Sequence, residues 1–213
     1  MPRKNLLIAI FATILLNILS ISGCKSAPEE NIVPEAVLTT YETSLFAIQI
    51  PETYMGAEPE SPGVNAIVAW MSANGHDAQG FSTFIRVNAA EMLYVAVDTE
   101  PSLEGSLTYF TLAGSERPKG FSVNEFISIY SQNASRETLL GREQKDFGGK
   151  SVEVLMYEFS NGGTTFQNNF YFIEIEEDNQ LWKFEFVTPA TEYDKKIEDF
   201  EKIVTEFTPK DNP

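Results

Sequence analysis

The sequence is poor in the side chains from which many catalytic and metal sites are built. Its 213 residues include one cysteine, Cys24, and one histidine, His76. Zinc sites made of several cysteine or histidine ligands are therefore excluded, and so is a disulfide within the chain. A catalytic triad would depend on His76, which lies in the polar segment SANGHDAQG and is predicted to be a solvated loop residue.

Basic residues are also scarce, since 15 Lys and Arg stand against 31 Asp and Glu and leave a net charge of −16. Nucleic-acid binding depends on Lys and Arg that neutralise phosphates, so no nucleic-acid partner is expected. The same charge repels anionic headgroups, which makes the protein surface a poor membrane anchor. A soluble, monomeric domain is the simplest expectation.

The N-terminus has the layout of a secretory signal peptide over residues 1–23. A basic start, PRK, precedes an apolar stretch at residues 6–19, and small residues lead to Cys24. An uncleaved transmembrane helix is the alternative. That helix would need about 20 predominantly apolar residues, and the stretch is shorter.

The tetrapeptide ISGC, residues 21–24, resembles a bacterial lipobox. The resemblance implies cleavage after Gly23, attachment of diacylglycerol to Cys24 and a location in the bacterial cell envelope. Two acyl chains anchor a protein stably, whereas one binds only marginally. Without lipid, a lone cysteine in an exported chain would indicate an intermolecular disulfide or a free thiol. Residues 24–43 are polar and are predicted to be the lipidated cysteine followed by a flexible tether.

From residue 44 to residue 208 the pattern predicts one α+β domain. The apolar segments 44–50, 66–71 and 81–87 are predicted to be strands. Capping boxes at residues 122–125 and 191–194 predict two helices with apolar stripes. Between the helices the pattern predicts a meander of four strands, at residues 139–147, 151–159, 166–175 and 181–187.

Two segments resemble PsbP-like domains: FAIQIPETY near the start and NQLWKFEFVTPATEYDKKIEDFEKIVTEF at the end. That family includes a photosystem II extrinsic subunit, a Ran-binding import factor and bacterial envelope lipoproteins. The resemblance implies an antiparallel sheet sandwiched by helices over residues 44–208. Residues 91–119 depart from the family pattern and leave open whether an additional hairpin lies there. The resemblance supplies no catalytic residue, because a fold does not determine a function.

Four acidic residues cluster near the end of the third meander strand: Glu174, Glu176, Glu177 and Asp178. Calcium prefers such oxygen ligands, but the alternative is an acidic hairpin turn, because side chains alternate across a strand. A pair of carboxylates elsewhere in this acidic chain could also support glycoside hydrolysis. No P-loop spacing occurs, and no cofactor is predicted.

Aromatic residues in and near the divergent segment are candidates for contact with a ligand or partner: Trp70, Tyr94, Tyr109 and Phe110. Each is also an ordinary core candidate. With no catalytic constellation in view, the sequence predicts a lipid-anchored envelope protein that binds a protein partner or small ligand without catalysis. A carboxylate-dependent extracellular hydrolase and a calcium-sensitive adhesion protein are the alternatives.

Overall fold

An antiparallel sheet organises the part of the chain that the structure describes. The computed structural model describes residues 37–102, 105–116, 122–133, 137–175 and 179–210. All of them belong to one unit, Ala36–Pro213. The calls on Gly23 and Cys24, and those on three of the acidic candidates (Glu176, Glu177 and Asp178), fall outside the described residues.

The strands carry the numbering used below: β1 Leu38–Glu42, β2 Phe46–Pro51, β3 Tyr54–Ala57, β4 Met92–Asp98, β5 Tyr109–Glu116, β6 Thr138–Phe147, β7 Lys150–Asn161, β8 Thr164–Ile175, β9 Gln180–Pro189 and β10 Thr208–Pro209. The helices are α1 Pro62–Ala73, α2 Ala78–Asn88, α3 Val123–Asn133 and α4 Tyr193–Glu206. A short 3-10 helix, Ala190–Glu192, precedes α4.

Seven strands form the main sheet in the order β3-β4-β5-β9-β8-β7-β6, and every neighbouring pair is antiparallel. A three-stranded sheet, β1-β2-β10, joins the start of the described chain to its end. The predicted meander is confirmed, because β6, β7, β8 and β9 pair in sequence. Its tight turns use positive φ angles at the glycine pairs, including Gly148 at 61° and Gly149 at 84°.

The inner face of the main sheet packs against β2 and α4 and holds the largest apolar core. Trp182, Phe184 and Phe186 point into it from β9, as their alternation with Lys183 and Glu185 predicts. The apolar stripe of α4 is confirmed, since Phe200 and Val204 are fully buried in the same core. Period two in the strand and period 3.6 in the helix thus meet in one core.

Two of the predicted strands are helices. Residues 66–71 lie in α1 and residues 81–87 in α2, and each helix buries a pair of residues four positions apart, such as Ile67 and Met71. The start signals were present in the sequence. Pro62 occupies the first turn of α1, and the Asp77 side chain accepts a hydrogen bond from the Gly80 N–H at the start of α2.

Three boundaries also differ from expectation. Residues 38–42 were assigned to the tether but form β1, because β2 offers them an antiparallel partner. The divergent segment does contain a hairpin, since β4 pairs with β5. The capping box at Ser122 forms, with the Ser122 N–H donating to Glu125 Oε2 at 2.8 Å, whereas α4 begins after Glu192 without a side-chain cap.

Among the described residues, no helix is long and apolar enough to cross a membrane.

Candidate functional site

The outer face of the main sheet is covered by helices only towards its two ends. Helices α1 and α2 pack an apolar cluster against the β3–β4 end, around Ile67, Ile85 and Val95. Helix α3 packs a second cluster against the β7–β8 side, around Ile127 and Phe172. The sheet surface between these clusters carries the polar side chains that the outer face buries.

An aromatic cleft of about 430 Å³ opens between α2 and this sheet surface. Phe81, Phe84 and Tyr109 form its wall, with ring centroids 5.7 Å apart for Phe81 and Tyr109 and 6.0 Å apart for Phe84 and Tyr109. Phe166 lines the cleft from β8 and stacks on Phe159 at 5.2 Å. Rings meeting at such angles leave edges and faces available to a further ring.

His76 lies at the rim of the aromatic cleft, in the turn between α1 and α2. Its N–H donates to the Met71 carbonyl at 2.9 Å, and Gly75 supports the turn with a φ of +78°. The imidazole stacks on the Trp70 ring with centroids 5.3 Å apart. The prediction of a loop histidine is therefore confirmed, but the loop borders a cleft.

An acidic notch, formed by Glu137, Glu185 and Asn168, lies farther along the same face. The Asn168 Nδ2 donates to Glu185 Oε1 at 3.2 Å and to Glu137 Oε1 at 3.3 Å. Asn168 is only 2% exposed, and its Oδ1 is buried without a hydrogen-bond partner. Two carboxylates therefore share one amide nitrogen, while an amide oxygen beside them is left unsatisfied.

Burial dominates the titration of the acidic notch. It raises the pKa of Glu185, and the charge of Glu137 raises it further, while Lys183 and the Asn168 hydrogen bond lower it in part. Burial also raises the pKa of Tyr109, and the charges of Glu185 and Glu137 add to that effect. The Tyr109 hydroxyl in the cleft wall is thus electrostatically coupled to both carboxylates.

The sheet register joins the cleft to the notch. Tyr109 on β5 pairs with Val187 on β9, which pairs with Asn168 on β8. Residues paired in this way project from the same face, so Tyr109 and Asn168 lie two strand spacings apart, about 10 Å. Thr111 and Glu185 form the next pair on that face. The aromatic cleft and the acidic notch are neighbouring parts of one surface.

A second cleft, of about 310 Å³, lies beside the start of α4 and is lined by Asp98, Lys196 and Asp199 among others. The Lys196 ammonium contacts Asp98 Oδ2 at 2.6 Å and Glu100 Oε2 at 2.7 Å. Burial lowers the pKa of Lys196, but its two carboxylate partners outweigh burial and leave that pKa raised. A firmly protonated amine is not a nucleophile, so this cluster holds α4 against β4.

The structure separates the four aromatic candidates. Tyr94 and Phe110 are fully buried in the inner core, which corrects the contact hypothesis for these two residues. Tyr109 lines the aromatic cleft, and Trp70 supports His76 at its rim.

Sequence reasoning missed the other members of this surface: Phe81, Phe84, Glu137, Phe166, Asn168 and Glu185. One signal was available, because Asn168 and Glu185 interrupt otherwise apolar strands in QNNFYF and WKFEFV. The pairing of β8 with β9, which brings them together, was not.

Glu174, the one calcium candidate within the described residues, lines a polar cleft with Glu153 beneath the start of α3. Among the residues that the structure describes, no group of three or more His, Cys, Asp or Glu side chains is placed to hold a metal ion. The calcium hypothesis stays a prediction, because its other three residues lie outside the described part.

Two solved structures share this architecture. The cyanobacterial PsbP of Synechocystis, CyanoP, aligns over 90% of this chain and 99% of its own, with 14% identity and a TM-score of 0.52. The fold is PsbP-like. LpqN, involved in cell envelope biogenesis of Mycobacterium tuberculosis, also shares the PsbP-like fold over 83% of this chain and 91% of its own, with 11% identity and a TM-score of 0.52.

No protein-family model and no curated protein sequence matches the chain. The predicted class, an α+β domain built on an antiparallel sheet, is confirmed by the structure and by the PsbP-like fold of these neighbours. Identities this low establish the fold and nothing finer, so the function has to be argued from the clefts of this chain.

Proposed function

We propose that this protein is a lipid-anchored binding module of the bacterial cell envelope and that it binds a small ligand bearing an apolar ring in the aromatic cleft, without chemical conversion. The aromatic cleft is the observation that carries the proposal. The lipobox-like segment ending at Cys24 supports the location, and the shared fold with LpqN, a protein of envelope biogenesis, is in keeping with it.

The cleft has the properties of a small-molecule site. Its volume of about 430 Å³ falls in the usual range for such sites, roughly 300–1,000 Å³. Its lining combines Phe81, Phe84, Tyr109 and Phe166 with the polar rim residues His76 and Asp77. Aromatic walls supply contact area and ring–ring attraction at little cost in side-chain entropy. A phenyl ring seated there would lose most of its contact with water.

The single histidine provides a site-specific test. In the full chain carried on phosphatidylcholine nanodiscs, the isotope-labelled His76 imidazole should shift on titration with phenylbutanol, a neutral aromatic probe. Phe84→Ala removes one wall of the cleft and should weaken binding about tenfold, since roughly 1–1.5 kcal/mol of ring contact is lost.

The matched control is Val87→Ala on the same helix, because Val87 is 73% exposed and does not line the cleft. It should leave the titration as in the wild type. An unshifted His76 at saturating phenylbutanol, or equal weakening by both variants, would contradict the proposal.

Anchoring is tested separately. Replacing Cys24 with Ser removes the thiol to which diacylglycerol would be attached, so the protein should leave the membrane fraction or accumulate as an uncleaved precursor. Membrane retention of a cleaved Cys24→Ser protein would refute the lipid anchor while leaving the cleft proposal untouched.

One observation favours a second candidate, a carboxylate-dependent hydrolase. Glu137 and Glu185 converge on one amide, and burial raises the pKa of Glu185, which is the arrangement that acid–base catalysis requires. The Asn168 amide occupies the space between the two carboxylates, which counts against a substrate bond there. Turnover of chromogenic glycosides that Glu185→Gln abolishes would establish the hydrolase.

A further inference from the structure

The acidic notch contains more hydrogen-bond acceptors than donors. Glu137 and Glu185 both accept from the Asn168 Nδ2, and the Asn168 Oδ1 has no partner. An acceptor buried without a partner costs about 1–3 kcal/mol. Two carboxylates that share one neutral donor also repel each other. The folded chain therefore retains an arrangement that an additional donor would stabilise.

The cation nearest in kind does not remove this imbalance. The Lys183 ammonium lies 5.7 Å from the centroid of the Phe170 ring, and its charge lowers the pKa of Glu185 only in part. Burial still leaves that pKa raised. The notch thus keeps an excess of negative charge in a poorly solvated position, where a charge-assisted hydrogen bond is stronger than in water.

The position of the notch relates it to the aromatic cleft. Asn168 lies two strand spacings, about 10 Å, from Tyr109 in the cleft wall, along one row of the sheet. A ligand whose ring occupies the cleft could reach the notch with a chain of about four carbons. The net charge of −16 would also favour the approach of a cation over that of an anion.

We propose that the notch holds the cationic N–H donor of the ligand in the aromatic cleft, so that the protein recognises small molecules joining an apolar ring to an ammonium group. An ammonium has three N–H donors and the notch offers three acceptor groups: the carboxylates of Glu137 and Glu185 and the Asn168 Oδ1. This inference rests on the proposed function of the cleft and specifies its ligand class.

The test uses three probes of matched shape and different charge: phenylbutylamine, phenylbutanol and phenylpentanoate. Each is titrated into the full chain on phosphatidylcholine nanodiscs, with the His76 imidazole resonance as the readout. The amine should bind at least tenfold more tightly than the alcohol, and the carboxylate more weakly than either.

Variants then locate the origin of that preference. Glu185→Gln keeps an oxygen that accepts from Asn168 but removes the charge, so the ratio of amine to alcohol affinity should fall towards one. Glu116→Gln changes the net charge by the same amount at an exposed position on β5 and should keep the wild-type ratio. An unfolding temperature for Glu185→Gln at or above that of the wild type excludes loss of binding through unfolding.

The outcomes separate the two proposals. If the alcohol binds and the amine binds no better, the cationic ligand class is wrong and the cleft stands. If Glu116→Gln lowers the ratio as much as Glu185→Gln, the preference comes from net charge and the notch is overturned as its source. If no probe shifts His76, the proposed function of the cleft fails, and this inference fails with it.

Discussion

The two faces of the seven-stranded sheet differ in how completely they are covered. The inner face is closed by β2 and α4 over an unbroken set of apolar side chains, including Phe110, Phe184 and Phe186. The outer face buries two separate apolar clusters beneath helices and leaves Asn168 and Glu185 on the surface between them. The first arrangement maximises apolar burial, whereas the second keeps polar groups that reduce stability.

This contrast indicates a division of roles. Fully apolar packing contributes about 25 cal/mol for each Å² removed from water, so the inner face supplies most of the stability. Polar groups buried with unsatisfied acceptors cost stability and are kept where they recognise something. The predictions below test this division, from the largest expected effect to the smallest.

The largest loss should follow truncation in the inner core. Phe200 is fully buried and stacks on Phe186 with centroids 4.5 Å apart. Phe200→Ala should reduce the free energy of unfolding by about 4 kcal/mol, because it leaves a cavity in close packing. Phe84→Ala on the outer face should cost about 1.5 kcal/mol, since Phe84 is only partly buried. Urea denaturation of both variants measures the difference, and equal losses would refute the division.

The next largest loss should come from the ion pairs at the edge of the inner face. Lys196→Met leaves the carboxylate of Asp98, which is 3% exposed, without its cation. The loss should be about 3 kcal/mol, because an uncompensated buried charge is costly. Adding Asp98→Asn to that variant should restore part of the lost stability. A double variant less stable than Lys196→Met alone would contradict this account.

A smaller loss is expected at the start of α3, which covers one end of the outer face. The Ser122 Oγ accepts from the Glu125 N–H at 3.2 Å, so Ser122→Ala should cost about 1 kcal/mol by removing the cap. Ser128→Ala is the matched control within the helix, since alanine suits a helix interior. Thermal unfolding of the two variants distinguishes a capping role from a general effect of serine loss.

The smallest effect should have the opposite sign. Because burial raises the pKa of Glu185, its contribution to stability is fully present below the ordinary glutamate pKa and is lost as pH rises through the raised value. Glu185→Gln should therefore raise the unfolding temperature at about pH 8, and the gain should shrink as the pH is lowered towards about 5. A variant less stable than the wild type at both pH values would show that Glu185 is structural.

Prediction from sequence succeeded where periodicity was long and regular. The β6–β9 meander and the apolar stripe of α4 follow directly from residue alternation and helical spacing. It failed at α1 and α2, where short apolar runs suit either a buried strand or a buried helix. The proline and aspartate at their starts were the deciding signals. Half of the aromatic contact candidates were core residues, because composition alone does not separate a buried ring from one that lines a cleft.

The sequence alone determined the scarcity of cysteine and histidine, the acidic balance, the class of fold and the alternation that gives the sheet two faces. Only the tertiary structure decided which polar residues meet. Glu137, Asn168 and Glu185 are far apart along the chain and come together because β8 pairs with β9 in one register, and a shift of one residue would turn each side chain to the other face. The aromatic cleft likewise depends on how α2 packs on the sheet, which is set by long-range contacts rather than by local pattern.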